Sequence, residues 1–431
     1  MDSKTFYIEN LGCAKNQVDA EVEASKLIKQ GYKCINGEEN APQKADVIIV
    51  NTCAFIESAR KESIDVFFEL NEQKKKGSKI IITGCLGERY KKELEQELTE
   101  ADEIRGVPEK PSTLREEEVL FSPKGTAFLK ISEGCSHYCA FCAIPLIRGP
   151  LKSISEDEII KEAKHLVKSG IKEINIIGQD LATYGNDLKT TSLVSLLKKL
   201  VEIDGDFKMR CLYIHPDFFP DELIDVIKSS NGKIIPYFDI PIQHCNSEIL
   251  HNMGRVHTKE DYATLVKKIR STFDDSYVRT TFLLGFKGET EDTLLELEEY
   301  IKEARFDAAS FFLYSREEGT RGEKMMTVKE WGALNKLANG KKASLEALED
   351  KISSENLNRF VNREIDLLVE EKIEGTNLTF AHTPFQCPDV DGTVVLNLED
   401  RNGKVHSVNG GDRVKALITK VNNLDLEGVI L

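Results

Sequence analysis

Nowhere in the 431-residue chain does an uninterrupted apolar run approach the ~18 residues that cross a bilayer. The opening MDSKTFYIENLGC has no basic region followed by an apolar stretch. A membrane span and a secretory leader are therefore not expected, and the protein is placed in the cytoplasm with no membrane partner. Repeats and compositional bias are also absent, and 40% hydrophobic with 30% charged residues is the composition of a globular protein, not a fibrous or disordered one. Positive charge is in deficit, with 58 Lys and Arg against 73 Asp and Glu and a formal charge of −15. Phosphates are bound chiefly through Lys and Arg, so this balance argues against broad attraction to nucleic acid and favours a basic partner. A local basic groove would still permit nucleic acid contact, which is not required.

The length suggests two or three domains. In the first hundred residues, apolar runs at Phe6 to Leu11, Val47 to Val50 and Ile80 to Thr83 alternate with amphipathic stretches at Gln17 to Gln30, Ser58 to Lys76 and Glu88 to Glu97. Strand then helix, three times, predicts a parallel α/β sheet. Residues 105–125, with Pro108, Pro111, Pro123 and mixed charges, read as a linker. From Thr126 six strands are expected, at Ala127 to Ile131, Glu173 to Ile177, Met209 to Ile214, Ile235 to Ile240, Val278 to Leu284 and Ala308 to Tyr314. The amphipathic segments between them suit crossover helices, which predicts an open or partial α/β barrel. Thr327 to Phe360 reads as helix interrupted at Gly340, with Trp331 anchoring it by packing. After Val361 the turn signals Glu374-Gly375, Asp391-Gly392, Asn402-Gly403 and Gly410-Gly411 separate short strands, which predicts a small β-barrel.

Ten cysteines in a chain without a secretory signal point to metal binding or catalysis before disulfides. Cys135, Cys139 and Cys142 follow the first expected barrel strand, where active-site loops of such barrels lie. Three thiolates at this spacing leave one iron of a four-iron cluster without a protein ligand, open to a small molecule. A zinc site completed by His137 or a remote cysteine is the bland alternative. Cys13, Cys53 and Cys85 each lie just past an expected strand, so a parallel sheet would bring all three to one edge, where cofactors bind. Cys34, Cys211, Cys245 and Cys387 share no such placement and read as packing or incidental thiols.

The run Cys-x-x-x-Cys-x-Phe-Cys resembles the signature of the radical S-adenosylmethionine superfamily. With LGCAKNQVDAE from Leu11, ADVIIVNTCAFIESA from Ala45, IITGCL from Ile81, GCSHYCAFCAIPLIRGP from Gly134 and YFDIPIQHCNSEILHNMGR from Tyr237, the chain resembles the methylthiotransferase family throughout its length. The resemblance implies an α/β protein in three parts. A methylthiotransferase domain over residues 1–104 would carry an auxiliary cluster. The linker 105–125 would lead to a partial (β/α)6 radical domain with its following helix over 126–360, and then to a small antiparallel, OB-like barrel of TRAM type over 361–431.

It also implies two 4Fe-4S clusters, on Cys135, Cys139 and Cys142 for radical generation and on Cys13, Cys53 and Cys85 for handling sulfur. S-adenosylmethionine would serve both as methyl donor and as radical source, and an external donor such as a flavodoxin or ferredoxin would supply electrons. Beyond the clusters no catalytic residue is assigned. Gly178, Gln179 and Asp180 after the second barrel strand, Gln243 beside His244 and Cys245, and Gly285 in TFLLGFKGET are expected around the cofactor; Asp180 has a capping role as its alternative.

Within the family, Asn16, Ser136-His137, IPLIRG from Ile144 and SREEGT from Ser315 look like the branch that modifies an aspartate β-carbon of small-subunit ribosomal protein twelve. The other branch modifies an adenosine of transfer RNA. Residues 361–431 hold 7 Lys and Arg against 12 Asp and Glu, a formal charge of −5 that suits a basic protein better than RNA. A zinc-stabilised RNA-binding module without catalysis is the alternative from another class.

Overall fold

The computed structural model describes residues 3–117, 119–388 and 390–431. Strands β1 (Thr5–Asn10), β2 (Lys33–Cys34), β3 (Val47–Thr52), β4 (Lys79–Gly84) and β5 (Glu103–Ile104) form a parallel sheet in the order β2-β1-β3-β4-β5. The three predicted strands are its centre. Their near-continuous apolar runs, such as VIIV in β3, suit a sheet covered on both faces. The two edge strands have only two residues each, too short to show a period. The expected helix over Glu88 to Glu97 is broken at Tyr90 into Cys85–Arg89 and Lys91–Glu97, which lets the first of these begin directly at the end of β4.

β6 (Thr126–Lys130), then the short ribbon of β7 (Ser132–Glu133) and β8 (Lys152–Ser153), precede β9 (Glu173–Ile177), β10 (Lys208–Cys211), β11 (Ile234–Asp239), β12 (Tyr277–Leu284) and β13 (Ala308–Leu313). Apart from the ribbon these form one six-stranded parallel sheet, in the order β13-β12-β11-β10-β9-β6. A partial barrel is what six successive β/α units produce. Helices such as Glu156–Lys168, Leu193–Val201 and Glu291–Ala304 bury Ile159, Leu166, Leu197 and Leu297 on its outer face in the largest apolar cluster of the protein.

Gly340 does not interrupt the next helix, which runs unbroken over Val328–Leu357. A mid-helix glycine costs only ~1 kcal/mol relative to alanine, too little to break eight turns whose inner face buries Ala338, Leu345, Ile352 and Leu357. Trp331 anchors it as expected, donating its indole N–H to the Tyr314 carbonyl at 3.0 Å.

β14 (Glu364–Lys372), β15 (Leu378–His382), β16 (Val394–Asn397), β17 (Arg413–Asn422) and β18 (Asp425–Ile430) close a five-stranded barrel. Its pairings are antiparallel apart from the closing pair, β16 with β18, which is parallel. Its loop docks where the central strands begin: Tyr237 donates to Asp391 at 2.8 Å and Arg210 to the Pro384 carbonyl at 3.0 Å. The cysteine loop lies at the opposite ends of those strands. The helix Ala14–Lys29 sets Val18 and Val22 against Phe128, Ile177 and Leu212, so the first domain covers the concave face of the central sheet. Residues 105–125 carry no helix or strand among those described, yet they are firmly packed. The fully buried Arg115 donates to Glu162 at 2.8 Å and to the Phe128 carbonyl at 2.7 Å, and pairs with Glu21. No described helix is long and apolar enough to cross a membrane.

Candidate active site

The loop carrying Cys135, Cys139 and Cys142 grows out of β6 and is closed at its base by the β7–β8 ribbon and by Cys135 N–H donating to the Gly149 carbonyl at 3.1 Å. Gly134 makes that closure possible. Its φ is +70°, and a Cβ there would fall 2.2 Å from the Pro150 carbonyl oxygen. Ala140 is pinned between the Met253 carbonyl, 2.8 Å from its N–H, and Gly322 N–H, 2.6 Å from its carbonyl. Tyr138 is forced into a left-handed conformation, φ 53°, as are Tyr213 at the end of β10 and Gln243 at the end of β11. Such outliers cost of order 1–3 kcal/mol each and collect at functional sites.

The three thiols share one enclosure. Burial pushes Cys142 up to about 12, and repulsion from Cys139 and Cys135 adds to it; burial likewise pushes Cys135 up to about 11. A metal bound by these sulfurs would have to displace protons that burial holds firmly. Around them His137 stacks on Phe218 with ring centroids 4.3 Å apart and bonds through Nε2 to Asp180 at 2.7 Å. The other partners of the Asp180 carboxylate are Ala182 N–H at 2.8 Å, Thr183 Oγ1 at 2.8 Å and His215 N–H at 2.9 Å. It clips the cysteine loop to the ends of β9 and β10, with both oxygens engaged.

Gln179 donates to Glu133 at 2.6 Å, while its own Oε1 and the Ser132 hydroxyl are buried without a partner. Gly178 lies between them, and a Cβ there would come within 2.5 Å of Ser132 Oγ. Gln243 is held by backbone bonds to Thr281 and Leu283 as a short extension between β11 and β12. Gly285, φ +82°, gives its N–H to Glu289 at 2.7 Å. Two unpaired acceptors beside a close backbone approach fit the ammonium end of an amino-acid-like cofactor, whereas both Asp180 oxygens already have partners within the protein.

The second triad follows from sheet register. Thr52 of β3 pairs with Gly84 of β4, and Cys53 and Cys85 come directly after them; Asn51 pairs with Asn10 of β1, and Cys13 lies just beyond it as the N-cap of Ala14–Lys29. The structure thus brings together at one sheet edge three cysteines distant in sequence. Burial pushes Cys53 up to about 11, with Cys85 and Cys13 repelling its ionised form, and burial raises Cys85 as well. Cys13 differs. Desolvation of its sulfur is outweighed by Lys15 and Arg148, and the thiol falls below its usual range although the residue as a whole is the most exposed of the three. Asn16 Oδ1 lies 3.7 Å from both the Cys13 and the Cys85 sulfur, its amide oriented by donation to the Thr52 carbonyl at 2.8 Å.

Among the described residues no three His, Cys, Asp or Glu converge closely enough for a single metal ion, as zinc with its ~2.3 Å bonds to sulfur would need. Cys211, Cys245 and Cys387 are fully packed, and Cys34 sits half-buried on the edge strand β2. Arg148 and Glu317, which in the sequence stand only inside the longer runs IPLIRG and SREEGT, hold the sites together. Arg148 reaches Cys85, and Glu317 is bound by Arg89 at 2.7 Å and by Arg60, joining the first domain to the segment after β13. A charged residue inside the otherwise apolar IPLIRGP was the available signal.

Three family models match this chain: Uncharacterized protein family UPF0004 over residues 5–106, the Radical SAM superfamily over 129–301 and the TRAM domain over 361–431. The ribosomal protein uS12 methylthiotransferase RimO of Bdellovibrio bacteriovorus is 37% identical, with 100% of this chain and 98% of that protein covered. Its counterparts in Clostridioides difficile (37%, covering 98% of each chain) and Aquifex aeolicus (37%, covering 98% and 96%) are equally similar. Among solved structures, the radical S-adenosylmethionine methyltransferase TsrM from Kitasatospora setae superposes with a TM-score of 0.51 at 15% identity, over 72% of this chain and 73% of that one. That likeness supports the fold alone.

Proposed function

This chain belongs to the ribosomal protein uS12 methylthiotransferase family of radical S-adenosylmethionine enzymes, and from that premise we propose that it places a methylthio group on the β-carbon of an aspartate of that small-subunit protein. The observation that carries the reading is the pair of thiol triads at facing strand ends, joined through Arg148. In this reading Cys135, Cys139 and Cys142 hold the cluster that works with S-adenosylmethionine, and Cys13, Cys53 and Cys85 hold a second, auxiliary cluster. When bound, these groups supply hydrogen abstraction from an unactivated carbon and a sulfur that carries the methyl group.

The chain's own residues bind and orient. Asp180 and His137 fix the cysteine loop against β9 and β10. Gln179 Oε1 and Ser132 Oγ, both without a partner, would accept from the cofactor's amino group, and Gly178 would keep the approach open. The first domain, seated on the concave face of the central sheet, keeps water from the reacting atoms. An acidic chain, with a formal charge of −15 overall and −5 over residues 361–431, suits a basic ribosomal protein. An external donor such as a flavodoxin or ferredoxin would supply the electrons.

The test is anaerobic incubation of the iron-loaded protein with reductant, S-adenosylmethionine and either ribosomal protein uS12 or transfer RNA, with mass spectrometry of both. A methylthio group on an aspartate of the protein is expected. Modification confined to the RNA would reject the substrate.

A further inference from the structure

We propose that Arg148 is a positioning residue that ties the auxiliary triad to the loop of the other triad and makes the group bound at Cys85 easier to reduce; this rests on the reading that Cys13, Cys53 and Cys85 hold a second cluster. Arg148 stands six residues past Cys142, on the loop closed by Cys135 and Gly149, yet its side chain, 1% exposed, is buried in the other site. Its Nε–H donates to Cys85 Sγ at 3.4 Å and its Nη2–H to Asn16 Oδ1 at 2.7 Å. Nη1 meets Asp19 at 3.0 Å and Glu133 at 2.7 Å, and the equally buried Lys130 pairs with the same two carboxylates.

Only a planar fork of donors can serve a sulfur, an amide and two carboxylates at once, so lysine is no substitute. Glu133 passes the connection on to Gln179 at 2.6 Å, beside Gly178. A continuous series of polar contacts therefore crosses from Cys85 to the cofactor side of the cysteine loop. Its charges decide the sign of the effect. Lys130 and Arg148 balance Asp19 and Glu133, so removing the Arg148 charge leaves one uncompensated negative charge beside Cys85 and deletes an N–H to sulfur bond. Both changes oppose adding an electron there.

The experiment uses the full chain with Cys135, Cys139 and Cys142 replaced by alanine, so that only the auxiliary site binds iron, reconstituted anaerobically with iron and sulfide. Iron content and a redox titration followed by electron paramagnetic resonance are compared for this parent, R148K and R148Q. The parent is expected to hold about four irons. R148Q should reduce at least tenfold less favourably, a negative shift of about 59 mV for a one-electron couple. R148K, which keeps the charge and loses the fork, should shift less. An unchanged midpoint in R148Q overturns the role of Arg148, and if R148Q does not fold, a midpoint in R148K equal to the parent's does the same. A parent that binds no iron overturns the auxiliary-cluster reading instead.

Discussion

His382 should make the seating of the C-terminal barrel on the central one pH dependent. Its imidazole, 1% exposed, lies between two carboxylates from different domains: Nδ1 is 2.7 Å from Glu370 of β14, and Nε2 is 3.4 Å from Glu173 of β9. Arg210 of β10 also holds Glu173, at 2.9 Å. Burial pushes the imidazolium down, but the charge of Glu173 and the hydrogen bond to Glu370 outweigh burial and the repulsion of Arg210, and lift His382 to about 8. A folded-state value raised from an ordinary ~6.5 contributes stability that is fully present below ~6.5 and lost as pH rises through 8. At about 1.4 kcal/mol per pH unit the contribution is about 2 kcal/mol. Urea unfolding at pH 6, 7.5 and 9 measures it, with His382→Gln as reference. The stability difference between the native protein and the variant should shrink by about 2 kcal/mol from pH 6 to pH 9. A difference that stays constant across that range would refute the assignment of the charge to His382.

Replacing Cys142 or Cys85 singly with alanine should each remove about half of the roughly eight irons that two four-iron clusters contain, read by metal analysis after anaerobic reconstitution; loss of all iron in either variant would mean the two sites are not independent. Arg115→Met leaves the buried Glu21 and Glu162 carboxylates without their cation and should cost about 3–5 kcal/mol in chemical denaturation. Restoring most of that by adding Glu21→Gln and Glu162→Gln would locate the cost in the unpaired charges, and a null effect of Arg115→Met would show that the segment is not clamped. Gly178→Ala drives a methyl group onto Ser132 Oγ and should weaken S-adenosylmethionine binding about tenfold in equilibrium dialysis, the worth of one hydrogen bond, without loss of iron. Unchanged affinity would remove Ser132 and Gly178 from the cofactor site.

The elements legible in the sequence were those whose period extends over a full strand or several helical turns. VIIVNT and KIIITG could be placed because a strand buried on both faces is a continuous apolar run. The two-residue edge strands β2 and β5 could not, since pairing with a neighbour alone defines them. Gly340 misled because a local propensity of ~1 kcal/mol was set against a helix whose stability comes from packing on β13 and the helix Glu291–Ala304. Residues 105–125 connect the first two domains without helix or strand among those described, as prolines and mixed charge suggested, but nothing in the sequence signalled that Arg115 would be fully buried between Glu21 and Glu162.

For the site, the cysteines were legible because strand ends are set locally and sheet register then does the rest: once β1, β3 and β4 are neighbours, the thiols one residue past β3 and β4 cannot lie far apart. Polar partners follow no such rule. Asn16 and Asp19 sit one turn into the first helix, where a solvated face is the ordinary expectation, and Glu133 and Lys130 lie on a strand and ribbon whose neighbours are apolar. What buries Asn16, Lys130, Glu133 and most of Asp19 is the contact between the first helix and the central barrel's cysteine loop, and a buried charge survives there only if an opposite one arrives with it. The balance of Lys130 and Arg148 against Asp19 and Glu133 is thus a condition for the first domain to dock at all. An iron-free protein should accordingly keep the two domains together, because the charges that join them do not wait for metal.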